Sequence, residues 1–158
     1  MYEQGESFSL DVVGTKGVCP AGEMAGAKYR AEGKVPVLSC EGACIRGEIA
    51  RVAANLVANE SPYARACHGE TLTVPHSAIA RWIKEADKVV LIDGCFLHCH
   101  GRLLRDVVAS DRLVEFDALS HYKKYTDLIE IDAVPEKERK EVARDVADWV
   151  LASMGEAE

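Results

Sequence analysis

The chain has 158 residues, of which 48 % are hydrophobic and 28 % charged, which is typical of one globular domain. Its 19 basic and 26 acidic residues give a net charge of −7. This charge argues against nucleic acid and anionic membranes as partners, because both attract clustered lysines and arginines. The acidic N-terminus lacks the apolar core of a signal peptide, and the apolar run at residues 89–92 is too short to cross a bilayer. We therefore expect a cytoplasmic protein.

The chain begins with a glycine-rich part, residues 1–33, which predicts an irregular segment with at most a short edge strand over residues 7–13. Apolar residues then recur at spacings of three and four from Ile45, which predicts a helix, and Pro75 and Pro135 predict the starts of two later helices. A further helix is predicted near Leu103, and residues 130–134 read as an extra strand or a loop. Strands are predicted by short apolar runs at residues 35–39, 63–67, 89–92 and 113–116.

Strands that alternate with helices are typical of an α/β protein with a parallel sheet. We predict a three-layer sandwich with a small, mostly parallel sheet of about four strands, formed by a single domain over residues 34–158. In such sheets, ligands bind beyond the carboxyl ends of the strands. Cys40 ends the first predicted strand, Cys67 ends the second, and Cys95 follows the third after one glycine. The topology therefore predicts several thiols at one edge of the sheet.

Thiols grouped in this way favour metal binding or redox chemistry, because disulfides are rare in a reducing cytosol. The spacing Cys-x3-Cys occurs twice, at Cys40 and Cys44 and again at Cys95 and Cys99. On a helix, this spacing brings two sulfurs to the same side, and a helix N-terminus favours the metal-binding thiolate. Structural zinc takes four tetrahedral ligands, with sulfur about 2.3 Å from the ion. The pattern predicts a zinc site.

The segment in which an apolar strand precedes Asp93-Gly94-Cys95 and then Cys99 resembles the signature of the DGC-domain family of zinc-binding proteins. Segments 40–42, 66–69 and 125–128 are similar to further elements of that family in the same order. The resemblance covers most of the chain and implies a small α/β domain with a zinc ion. The ligands that it implies are Cys40, Cys67, Cys95 and Cys99.

The fourth ligand has alternatives. Cys44 stands where family members more often carry a small residue, and it could replace Cys67 as a ligand. His68 directly follows Cys67 and is another candidate. His98 and His100 flank Cys99, but neighbours on a helix point about 100° apart, so at most one of them can join Cys99 at a metal.

A competing interpretation is an enzyme with a nucleophilic cysteine. The sequence Cys40-x5-Arg46 between a strand and a helix resembles the phosphate loop of low-molecular-weight tyrosine phosphatases and arsenate reductases, in which the cysteine attacks an oxyanion held by the arginine. Gly47 lacks the supporting hydroxyl of those loops, and the chain has no Asp-Pro dipeptide for the general acid. A third interpretation is a carrier module that hands on a soft metal or a sulfur species. Asp93 is expected to cap a helix or to orient a ligand.

Overall fold

The structure is a computed structural model that describes residues 4–156. It has four β-strands, which are β1 (Val35–Ser39), β2 (Tyr63–Arg65), β3 (Val89–Asp93) and β4 (Leu113–Asp117). They form one sheet in the order β2-β1-β3-β4, and every neighbouring pair is parallel. The register places Leu38 opposite Leu91 and Asp93 opposite Asp117.

Helices connect and cover the strands. The described residues form α1 (Pro20–Ala31), α2 (Ile45–Ala58), α3 (His68–Thr73), α4 (Ala78–Glu85), α5 (Cys99–Leu104), α6 (Ala118–Tyr122) and α7 (Glu136–Glu156). None of these helices combines the length and the apolar character that a membrane crossing requires.

The sheet is covered on both faces. In β3, Val90 and Ile92 pack into the core cluster formed with α2 and α7, whereas Val89 and Leu91 pack into a second cluster with α4. Successive side chains of a strand point to opposite faces, so a strand buried on both faces is continuously apolar. The second cluster includes Trp82, whose indole N–H donates to the Lys34 carbonyl at 2.9 Å. Four parallel strands between two helical layers confirm the predicted α/β fold.

The N-terminal segment differs from the prediction. Residues 20–31, predicted to be irregular, form α1, and residues 7–13 form no strand. Residues 1–3 of that segment lie outside the described part of the chain. A Cβ on Gly26 would lie 2.6 Å from the backbone of Ala78 and Ile79, so this glycine lets α1 approach α4 closely. A glycine that serves packing was therefore misread as a sign of a loop.

Two later boundaries also differ. The helix predicted to begin at Pro75 begins at Ala78, because Ser77 caps it by accepting the Ala80 N–H at 3.1 Å. The unpredicted helix α3 precedes it. Within the region predicted as an extra strand or loop, Ile131–Ala133 form one turn of 3₁₀ helix.

The chain leaves the two central strands on opposite sides of the sheet. After β1 it enters α2, which packs in the first cluster, and after β3 it enters α5, whose Leu104 is buried in the second cluster. Neighbouring parallel strands whose connections diverge in this way leave a crevice at their carboxyl ends. Cys40 and Asp93 lie at this crevice.

Candidate metal centre

Three strand ends supply the polar side chains at the crevice. Cys40 directly follows β1, and Asp93 is the last residue of β3. His68 is the first residue of α3, which follows β2, while His98 and His100 lie at the start of α5.

Asp93 is the buried centre of the group, with 1 % of its surface exposed. Its Oδ1 accepts the backbone N–H of His100 at 3.3 Å, and its Oδ2 accepts that of Gly101 at 3.0 Å. Burial alone raises the pKa of this carboxyl, but the interaction with His100 and the two backbone N–H groups lower it overall. Asp93 thus caps the first turn of α5 as a carboxylate, one of the two roles predicted for it.

Two imidazole rings face the two oxygens of this carboxylate. The Nδ1 of His100 lies 3.5 Å from Oδ1 of Asp93, and the Nδ1 of His98 lies 3.6 Å from Oδ2. Both Nδ1 atoms are buried and have no hydrogen-bond partner. His98 adopts φ +47°, a left-handed conformation that is uncommon for residues other than glycine. His98 therefore precedes the helix, and its ring and that of His100 both face Asp93.

Cys40 completes the first group. Its backbone N–H donates to the Ile92 carbonyl at 2.9 Å, which extends the β1–β3 pairing to the level of Asp93. One donor atom each from Cys40, Asp93 and His100 lies within 4.8 Å of the other two. Burial raises the pKa of the Cys40 thiol, but the interaction with His100 and the backbone N–H of Gly42 lower it overall.

His100 connects this group to a further imidazole. The interaction with Asp93, followed by that with Cys40, raises the pKa of His100 to about 10. The His68 ring contacts the His100 ring edge-on, with 4.3 Å between the ring centroids. Burial and the proximity of His100 lower the pKa of His68, which favours its neutral, metal-binding form.

A second group shares Asp93 with the first. One donor atom each from Asp93, His98 and Glu115 lies within 4.8 Å of the other two, and Nδ1 of His98 is 3.9 Å from Oε1 of Glu115. Arg105 holds Glu115 through two hydrogen bonds of 2.9 and 3.0 Å. A Cβ on Gly101 would overlap Oε1 of Glu115 and lie 3.0 Å from Oδ2 of Asp93. The absence of a side chain at Gly101 therefore leaves room for both carboxylates.

A separate set of thiols surrounds Arg46. Its Nε is buried without a hydrogen-bond partner. Burial lowers the pKa of Arg46, but its interactions with Cys44 and Cys95 raise it overall. Burial raises the pKa of Cys95, which Arg46 offsets only in part, and burial also raises that of Tyr122 in the same surroundings. The arginine of the predicted phosphate loop therefore interacts chiefly with Cys44 and Cys95.

Comparison with protein families identifies the chain. The family model of the DGC domain matches residues 36–146, about 70 % of the 158 residues. This chain belongs to the DGC-domain family. Comparisons with curated proteins and with solved structures find no match. The matched region includes both groups around Asp93 and all the predicted ligands, and these groups fit a metal-binding role for the DGC domain.

The predicted thiol ligands of the DGC domain are not all close together. Cys67 caps α3, with its sulfur 3.4 Å from the Glu70 N–H, and the Cys99 sulfur lies 3.9 Å from a guanidinium nitrogen of Arg102. Among residues 4–156, the four predicted sulfurs do not form a group within 4.8 Å of one another. That ligand set stays a prediction. The close group in the structure shares only Cys40 with it.

Sequence reasoning missed Glu115 and assigned lesser roles to His98 and His100. Both histidines were expected to lie on a helix, whereas His98 is the residue that precedes α5. A His-x-His pair after the buried strand that ends in Asp93 was the available signal. Glu115 offered none, because a single acidic residue in a strand is indistinguishable from an ordinary surface position.

Proposed function

We propose that this DGC-domain protein binds a zinc ion at the crevice between β1 and β3, with Cys40, Asp93 and His100 as its ligands. The observation that carries the proposal is the convergence of three different donor types within 4.8 Å around a carboxylate that is 1 % exposed. Thiolate, imidazole and carboxylate are the three side-chain donors that zinc commonly takes. The donor set therefore fits the ion that the family resemblance implies.

The spacing of the donors supports a shared ion. Two ligands of one tetrahedral zinc lie roughly 3.3–3.8 Å apart, given zinc–nitrogen and zinc–sulfur distances of about 2.0 and 2.3 Å. The 3.5 Å between Nδ1 of His100 and Oδ1 of Asp93 falls in this range and exceeds a normal hydrogen bond. The buried Nδ1, which has no hydrogen-bond partner, is accounted for if it binds a metal, and binding would release the proton that the raised pKa of His100 keeps on the metal-free ring.

Three protein ligands leave one position of a tetrahedral ion, which catalytic sites leave open and structural sites fill. The predicted candidates for that position are Cys67, Cys95, Cys99, Cys44 and His68. His68 is supported by the contact of its ring with His100. The rival set, in which four thiolates of Cys40, Cys67, Cys95 and Cys99 enclose the ion, gives a different pattern of variants.

The test is the zinc content of protein purified without chelator, measured by elemental analysis. We expect Cys40→Ser and His100→Gln each to lose the zinc ion of this site, one ion per chain, since each removes one of the three ligands. The matched control is Cys19→Ser, which removes an exposed thiol outside the DGC region. Loss of zinc in Cys95→Ser and Cys99→Ser but not in His100→Gln would favour the four-thiolate set. Wild-type protein that takes up no zinc would contradict both.

A second candidate function is nucleophilic catalysis by Cys40. The succession Cys40, His100, Asp93 has the chemistry of a cysteine nucleophile, a base and an orienting carboxylate. The phosphatase form of this hypothesis is less well supported, because Arg46 interacts chiefly with Cys44 and Cys95. Turnover of an aryl phosphate that survives chelation and disappears in Cys40→Ser would favour the enzyme over the metal site.

The cellular setting and the fate of the metal belong to the same proposal. All six cysteines are free thiols, which supports a reducing compartment such as the cytoplasm.

A carrier role would require the exposed thiols Cys67 and Cys99 to exchange with the bound ion. Faster release of zinc to a competing chelator in wild type than in the corresponding serine variants would support that role.

A further inference from the structure

The second group of donors, Asp93, His98 and Glu115, has the features of a metal site of its own. Their donor atoms all lie within 4.8 Å of one another, with 3.6 Å from Nδ1 of His98 to Oδ2 of Asp93 and 3.9 Å from the same nitrogen to Oε1 of Glu115. Both distances exceed a hydrogen bond and approach the separation of two ligands on one ion. The side chains of His98 and Glu115 are 25 % and 23 % exposed, so an ion can reach them from solvent.

We infer that Asp93, His98 and Glu115 bind a second divalent cation, so that the Asp93 carboxylate bridges two ions with one oxygen directed to each. The inference extends the proposed function, with which it shares Asp93, but His98 and Glu115 are ligands of the second ion only. Its donors are one imidazole and two carboxylates without sulfur. Such a set suits a first-row divalent ion such as manganese, which prefers carboxylates, or zinc, which also takes imidazole.

Three local features support this site. First, Nδ1 of His98 is buried and has no hydrogen-bond partner, although buried polar atoms almost always have one. Second, His98 holds its ring there in a left-handed backbone conformation, φ +47°, which persists only when the surroundings compensate for the strain. Third, Gly101 has no Cβ to separate the carboxylates of Asp93 and Glu115.

The charges around this group also favour a cation. Two carboxylates converge within 4.8 Å, and one of them is almost fully buried. Arg105 forms an ion pair with Glu115, and the backbone N–H groups of residues 100 and 101 donate hydrogen bonds to Asp93. A divalent ion between Asp93 and Glu115 would offset the repulsion between the two carboxylates.

The two oxygens of Asp93 face different imidazoles, which is the geometry that a bridge requires. Oδ1 lies beside His100, in the group with Cys40, and Oδ2 lies beside His98, in the group with Glu115. A bridging carboxylate is common in two-metal sites, whose ions lie close enough to act on one substrate. Asp93 thus offers Oδ1 to the group that contains the Cys40 sulfur and Oδ2 to the group that contains the Glu115 carboxylate.

The experiment is equilibrium dialysis of metal-stripped protein against zinc or manganese, with bound metal counted by elemental analysis. We expect two ions per chain in wild type and one in His98→Gln and in Glu115→Gln. The glutamine at 115 keeps an acceptor for Arg105, and circular dichroism checks that each variant is folded. His121→Gln is the matched control, since this histidine pairs with Asp145 away from the crevice and should keep two ions.

The outcomes separate this inference from the proposed function. One ion in wild type that is lost in Cys40→Ser and kept in His98→Gln would overturn the inference and leave the proposed function standing. One ion that is lost in His98→Gln and kept in Cys40→Ser would support the second site and overturn the first. Wild type that binds neither metal would overturn both.

Discussion

Two places in this molecule pair a histidine with an aspartate, and their geometries differ. On the surface, Nε2 of His121 lies 3.1 Å from Oδ2 of Asp145, and the His121 ring stacks on Trp149 with centroids 4.6 Å apart. The Asp145 side chain is 68 % exposed, so water screens its charge. This pair is in direct hydrogen-bond contact and open to solvent.

At the crevice, the imidazole rings approach the aspartate but stay beyond the distance of a normal hydrogen bond. His98 and His100 stand 3.6 and 3.5 Å from the oxygens of Asp93, whose side chain is 2 % exposed. A buried carboxylate is costly unless charged or hydrogen-bonding groups compensate it. The spacing therefore distinguishes the two sites: the surface pair is directly hydrogen-bonded, whereas the buried rings and carboxylate have a spacing close to that of ligands around an ion.

Replacing the two aspartates should produce the largest contrast. Asp93→Ala removes the buried acceptor of two backbone N–H groups and should cost roughly 3 kcal/mol of unfolding free energy, measured by urea denaturation in the presence of chelator. Asp145→Ala removes an exposed partner and should cost less than about 1 kcal/mol. Equal losses would contradict the difference between the two sites.

Added metal should sharpen the same contrast by a slightly smaller amount. Zinc at about 100 times its dissociation constant should stabilise the protein by about 2.7 kcal/mol, because the ion binds the folded form. Thermal unfolding with zinc and with chelator measures this difference. His121→Gln should keep the whole zinc effect, and His100→Gln should lose the part that comes from the site with Cys40. A zinc effect of the same size in both variants would place the ion elsewhere.

The smallest expected effect concerns Gly101, which lies next to the carboxylates of Asp93 and Glu115. In Gly101→Ala, the new Cβ would overlap Oε1 of Glu115, the far end of a flexible side chain, and we expect a loss of roughly 1 kcal/mol together with weaker binding of the second ion. Gly155→Ala is the control, because that position also lies in a helix but has open space around it. It should be neutral or stabilising by up to about 1 kcal/mol. The difference between the unfolding free energies of the two variants separates the cost of the overlap from the effect of helix propensity.

The regular part of the fold was predictable because its signals are local. The run at 89–92 is apolar at every position, which is what β3 requires when helices cover both faces of the sheet. Cys19 and Pro20 begin α1 with a cap and a proline in its first turn, yet the glycines around them suggested a loop. The close approach that Gly26 serves depends on α4, more than 50 residues away in sequence, so no local pattern could reveal it.

The sequence by itself determined the α/β class, the family and the edge of the sheet at which the reactive side chains collect. Those conclusions depend on periodicity and on the order of elements, which neighbouring residues specify. Only the tertiary structure decided which side chains meet there. It paired Cys40 with His100 and Asp93, and it brought Glu115 from another strand to His98. The register between strands sets which strand ends meet, and register arises from contacts between segments far apart in the chain.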